Sequence, residues 1–170
     1  MIVVMGVAGS GKTRVGEALA ARLGFRFEDA DALHSRESIA KMSAGIALDD
    51  ADRAPWLASI ATRLEGWLAS GDDVVLACSA LKAGYRRVLC RDAARMRLVY
   101  LRAPHDVLLA RLQARSGHYM PASLLASQLA TLEEPKRAIV VDASAPLDVV
   151  VESALEGLAR WPSEPVRPNS

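Results

Sequence analysis

Residues 6–13 read Gly-Val-Ala-Gly-Ser-Gly-Lys-Thr and fit the pattern GxxxxGK[ST]. The flanking residues constrain the fold as strongly as the motif does. Residues 2–5 (IVVM) are a short apolar run that reads as a buried strand. From Lys12 onward, Val15, Leu19 and Leu23 recur every four residues, which predicts an amphipathic helix over 12–23. A strand, a glycine-rich turn and a helix in this order make the context in which such a loop cradles phosphate. Glycines let the backbone aim its N–H groups at an anion, and the helix N-terminus adds its positive end. Gly6, Ala8, Gly9, Ser10 and Gly11 are therefore expected to bind the phosphates of a nucleoside triphosphate. Lys12 should neutralise charge at the β- and γ-phosphates, and the Thr13 hydroxyl should ligate Mg²⁺.

The remaining chain alternates between short apolar runs and helical patterns. Strands are expected over 25–29, 74–78, 97–101 and 139–142. Helices are expected over 35–44, 52–69, 84–91, 104–115, 124–132 and 147–160, with Pro55 in the first turn of the second of these. Strands that are apolar on both faces and alternate with helices predict an α/β fold, a parallel sheet covered on both sides. Residues 1–161 make one domain. The stretch 162–170, PSEPVRPNS, is rich in proline and poor in apolar residues, so it is expected to be a disordered tail.

Composition narrows the function. Lys and Arg number 21 against 20 Asp and Glu, so no global field favours nucleic acid or a membrane surface. The two cysteines, Cys78 and Cys90, form no CxxC pair, which argues against a disulfide framework or a zinc site. No apolar run reaches the roughly 18 residues of a membrane helix, and the glycine-rich N-terminus does not read as a signal peptide, so the cytoplasm is expected. Of the classes that carry this loop, a GTPase switch predicts NKxD, which is absent. A motor predicts an apolar strand ending in an acid, whereas residues 74–78 (VVLAC) run into Ser79. A small-molecule kinase is therefore favoured.

Asp29 and Asp31 stand two residues apart at the end of the second expected strand, where open α/β sheets bind ligands. If that strand neighbours the first, both acids face the phosphate loop. One would hold Mg²⁺ through water and the other would accept a hydroxyl proton. Helix capping or a solvated turn accounts for the same spacing. Between Lys82 and Arg115 there are nine Lys and Arg and two acids, a cationic stretch suited to phosphoryl transfer. Arg111 and Arg115 lie one helical turn apart, ahead of a breaker-rich segment that reads as a lid over about 115–123.

Several further stretches carry a family resemblance: DADALH at 29–34, KMSAGIALDDADRAPWL at 41–57, CSALKAGYR at 78–86 and GHYMPASLLASQLATLEEP at 117–135. Together with the loop they closely resemble the short P-loop gluconokinases, relatives of the shikimate and nucleoside monophosphate kinases. The resemblance spans about residues 2–158. It implies ATP-dependent phosphorylation of D-gluconate at its 6-hydroxyl, a P-loop kinase fold with a five-stranded parallel sheet and a mobile lid, and a homodimer. By resemblance, Asp31 corresponds to the carboxylate at the substrate hydroxyl and Asp29 to the metal-side acid. Arg53 and Arg86 correspond to the residues holding the substrate's carboxylate and hydroxyls, with Lys82 close to both. Arg111 and Arg115 resemble the lid arginines, with Arg115 expected to act in catalysis, and His118 the lid residue after glycine. Residues 142–146 resemble the adenine-side loop. His34 is expected either to bond the substrate or to cap the helix that follows. Ser35, Ser38 and Ala47 depart from the family's frequent residues; Ser38 in place of asparagine would relax specificity if that asparagine touches sugar.

Overall fold

The computed structural model describes residues 1–90, 92, 94–114 and 124–161. Among these, five strands pair in parallel in the order β2-β3-β1-β4-β5: β1 Ile2–Met5, β2 Arg26–Asp29, β3 Val74–Ala77, β4 Arg97–Arg102 and β5 Ile139–Asp142. Seven α-helices connect and cover them: α1 Lys12–Leu23, α2 Arg36–Ser43, α3 Asp50–Ser70, α4 Ala83–Leu89, α5 His105–Gln113, α6 Leu124–Thr131 and α7 Leu147–Ala159. The expected α/β fold and five-stranded parallel sheet are what the chain forms.

Alternation along β1 builds a core on each face of the sheet. Val3 and Met5 pack with Leu76 and with Trp56, Ile60 and Leu64 of α3. Ile2 and Val4 pack with Val75, with Leu19 of α1 and with Val150 and Val151 of α7. Burial on both faces holds for β1 and β3, all of whose residues are buried, and for the middle of β4. It does not hold at the edges. β2 (RFED) is only partly covered, and Val140 of β5 is exposed, because an edge strand has a neighbour on one side alone.

Two expectations are corrected. β2 does not neighbour β1; β3 lies between them, with Asp29 in register with Ala77 and Val4 also paired to Ala77. The acids at the end of β2 therefore sit one strand further from the phosphate loop than adjacency would place them. Helix α3 begins at Asp50 rather than 52. The Asp49 side chain accepts the Asp52 N–H while the Asp52 side chain accepts the Asp49 N–H, a reciprocal cap that fixes the start. Pro55 thus falls in the second turn, where it withholds an N–H from the Ala51 carbonyl. Ala51 and Pro55 are both exposed, so the unpaired carbonyl is on the solvent side.

Candidate active site

The phosphate loop is pinned between β1 and the start of α5. Gly9 has φ 81°, and a Cβ there would lie 2.8 Å from the Leu108 carbonyl oxygen. Gly6 has the same close approach, 2.8 Å, to the carbonyl oxygen of Leu101 in β4. Gly11, at φ 92°, turns the chain into α1 as its N-cap. Within the loop Ser10 N–H donates to the Val7 carbonyl at 3.2 Å, and Lys12 Nζ reaches back to the same oxygen at 3.2 Å. Ser10 is buried, and its Oγ has no hydrogen-bond partner.

The strand that separates β2 from β1 does not separate Asp29 from the loop. Gly16 of α1 lies against the Phe27 ring of β2: a Cβ there would sit 2.6 Å from its Cε2. This close approach lets α1 reach over β3, and Thr13 Oγ1 donates to Asp29 Oδ2 at 2.9 Å. The other carboxylate oxygen, Oδ1, accepts the Asp31 N–H at 2.9 Å and caps the 3-10 turn Ala30–Leu33. One carboxylate thus links the phosphate loop to the turn carrying Asp31 and His34, and both residues line a cleft together with Gly9, Gly11, Lys12 and Thr13. A hydroxyl and a carboxylate converging on one point are hard oxygen donors, and that donor set fits Mg²⁺.

The floor of the cleft is aromatic. His34 stacks on Trp56, with ring centroids 4.5 Å apart and planes 6° from parallel, while Trp56 Nε1 donates to the Ala30 carbonyl at 2.7 Å. Trp56 is therefore both a buried core residue and a platform in the cleft. His34 Nδ1 is buried without a partner. Burial lowers the imidazole pKa, Asp31 acts to raise it and Arg53 adds to the lowering.

Arg53, one face of α3 onward from Asp50, also lines the cleft. Its Nη1 donates to the Tyr85 hydroxyl at 3.5 Å. Tyr85 in turn donates to Asp50, and Lys82 Nζ donates to both Asp50 oxygens at 2.7 and 2.8 Å. Hydrogen bonds from Lys82 and Tyr85 hold the Asp50 carboxyl below its ordinary pKa, and Asp50 raises that of Lys82. The Tyr85 phenol is raised, first by burial and then by its bond to Asp50. Lys82 is thus committed to an ion pair beside the cleft rather than lining it. Arg86 is not among the cleft residues either: its Nη1 donates to the Ala80 and Leu81 carbonyls, both at 2.8 Å. Those bonds brace the loop after β3 where Ala80 takes a left-handed φ of 47°. The loop's Ser79 and Leu81 line the cleft. Asp50 and Tyr85 were not singled out as site residues from sequence; the three-residue spacing of Asp50 and Arg53 on one helix face was the available signal.

A second cavity opens on the far side of the loop. Gly9, Ser10 and Gly11 line it, with Arg14 and Val15 of α1, Arg111 of α5, and Ala143, Ala145, Leu147 and Val150 beyond β5. Arg111 Nη1 donates to the Ala143 carbonyl at 2.7 Å, tying α5 to the 142–146 segment. Its apolar wall and the shared loop fit a purine ring whose phosphates lie on the loop. The expected catalytic Arg115 and the expected lid residue His118 lie outside the described residues, as does the whole of 115–123.

A family model described as an AAA domain matches residues 1–135. The gluconokinase of Gluconobacter oxydans (strain 621H) is 48% identical over 157 residues, which cover 91% of this chain and 88% of that protein. The chain belongs to the gluconokinase family. It is an enzyme of the P-loop kinase fold, as its sheet and loop already indicated. Among solved structures, a gluconokinase from Sinorhizobium meliloti 1021 is 51% identical with a TM-score of 0.82, over 94% of this chain and 91% of that one. A sugar kinase from Janibacter sp. HTCC2649 is 45% identical with a TM-score of 0.86, over 93% of each chain. Among the described residues no helix is long and apolar enough to cross a membrane, and no three His, Cys, Asp or Glu cluster as a metal site.

Proposed function

We propose that the protein transfers the γ-phosphoryl group of ATP to the 6-hydroxyl of D-gluconate, giving 6-phospho-D-gluconate and ADP. The observation that carries this reading is the bridging Asp29 carboxylate. It joins Thr13 of the phosphate loop to the turn that presents Asp31 in the same cleft. Asp31 orients the acceptor hydroxyl and takes its proton as the oxygen attacks phosphorus. Lys12 neutralises charge on the transferring group, and the loop amides beyond Ala8, whose own N–H Gln128 accepts, hold the phosphates in line. Thr13 and Asp29 would hold Mg²⁺, which would supply positive charge to neutralise the phosphates. Arg53 grips the gluconate carboxylate through its planar fork, kept in place by Tyr85 and Asp50. His34 on its Trp56 platform faces the polyol. Lys82 acts by fixing Asp50, and Arg86 by bracing residues 80–81. Arg111 secures the adenine side, while Arg115 and His118 belong to a lid that excludes water. The protein works in the cytoplasm as a homodimer, which equilibrium sedimentation would test.

A coupled ADP-release assay across D-gluconate, shikimate and nucleoside monophosphates tests the acceptor. Turnover with gluconate alone is expected. Asp31→Asn should lower kcat by about 10²-fold or more, the scale of losing a general base, with ATP affinity retained. Near-normal turnover in that variant would remove Asp31 from the chemistry.

A further inference from the structure

Helix α6 touches both ends of the active site. At its start Leu124 packs with Met42 and Leu48, beside the acceptor end of the cleft. The next residue, Leu125, packs with Val7, Leu108 and Leu112 around the phosphate loop. One turn further along, Gln128 lines the cleft, and its Oε1 accepts the Ala8 backbone N–H at 2.7 Å, 120 residues away in sequence. This is a side-chain hold on the phosphate loop from an element outside the strand–loop–helix unit. The amide it holds is therefore satisfied by protein.

We propose that Gln128 is a positioning residue of the phosphate loop, fixing Ala8 so that the packing of α6 at the acceptor end sets the geometry in which the nucleotide is bound. Because α6 contacts the acceptor side through Leu124, coupling between acceptor and nucleotide passes through the Gln128–Ala8 bond, and linkage makes that coupling reciprocal. The second part of this inference rests on the gluconate reading; the first does not.

The test is titration of the full-length protein with a fluorescent ADP analogue and with a non-hydrolysable ATP analogue, with and without D-gluconate. Gln128→Met keeps the length and packing of the side chain and removes the acceptor. It should weaken binding of both nucleotides by roughly tenfold, the scale of one lost buried hydrogen bond. Gluconate should tighten nucleotide binding to the unaltered protein severalfold, and to the variant hardly at all, while the melting temperature stays within a few degrees. Gln128→Asn, too short to reach Ala8, should behave the same way and is read instead if the methionine variant does not fold. Unchanged or tighter nucleotide binding in the soluble variant would overturn the assignment. So would a rise in gluconate KM alone, which would make Gln128 an acceptor contact. If the unaltered protein turns over gluconate but its nucleotide affinity does not respond to it, the coupling fails; if it does not turn over gluconate, the acceptor reading fails; in either case the nucleotide titrations still decide the role of Gln128.

Discussion

Gly9 shows how narrowly single residues are specified at this site. Its φ of 81° is open to glycine, and the 2.8 Å approach of a would-be Cβ to the Leu108 carbonyl meets backbone rather than a side chain that can swing away. Gly9→Ala must therefore either strain the loop or displace the start of α5. A left-handed conformation forced on a non-glycine residue costs on the order of 1–3 kcal/mol. We expect nucleotide affinity to fall by at least about tenfold, read by calorimetric titration with ADP, while Gly11→Ala, which meets nothing within 4 Å, is disturbed by its φ alone. Asp29 is tied at both ends of its carboxylate, since each oxygen accepts from its own donor. The motif made Gly9, Lys12 and Thr13 readable in advance. It said nothing of Gln128, whose partner Ala8 is brought to it only by the packing of α6 on the loop.

Elements carry the difference between a residue at the site and a residue that shapes it. The sequence spacing of the CSALKAGYR stretch puts Lys82 and Arg86 one turn apart, and both read as substrate-side cations. In the fold, α4 starts at Ala83, so Lys82 is its N-cap residue and turns to Asp50 of α3. Arg86, inside the helix, folds back onto residues 80 and 81. If bracing is its role, Arg86→Met should destabilise the protein by about 2 kcal/mol, since hydrogen bonds to a charged group are worth more than neutral ones. The measurement is urea unfolding set beside steady-state kinetics. A lowered midpoint with gluconate KM little changed supports bracing; a large rise in KM at unchanged stability would return Arg86 to the substrate. Helix ends were predicted to within a few residues. The misplaced start of α3 came from reading Pro55 as a first-turn signal when the Asp49–Asp52 cap lies further upstream.

At the scale of the whole molecule, stability and the site share one titrating group. Burial disfavours the charged form of His34 in its stacked position. Its folded pKa lies below its unfolded value of about 6.5. The unfolded chain therefore binds more protons between the two values, and stability rises with pH across that window. The melting temperature should be level above about pH 7.5 and fall as pH drops below about 6.5, a slope that His34→Gln should reduce. An identical slope in the variant would show that another group is responsible. The sequence by itself determined the parallel α/β class, the strand–loop–helix that receives phosphate, the order of the five strands along the chain and the family, because each depends on local periodicity or on a contiguous motif. The tertiary structure alone decided that β3 lies between β2 and β1, that Asp29 reaches Thr13 over it, that Trp56 serves the cleft as well as the core, and that Asp50, Tyr85 and Gln128 belong to the site's supporting frame. Those outcomes follow from which side chains meet across long stretches of chain, and burial and close backbone approach at Gly9 and Gly16 settle that only when all the layers pack together.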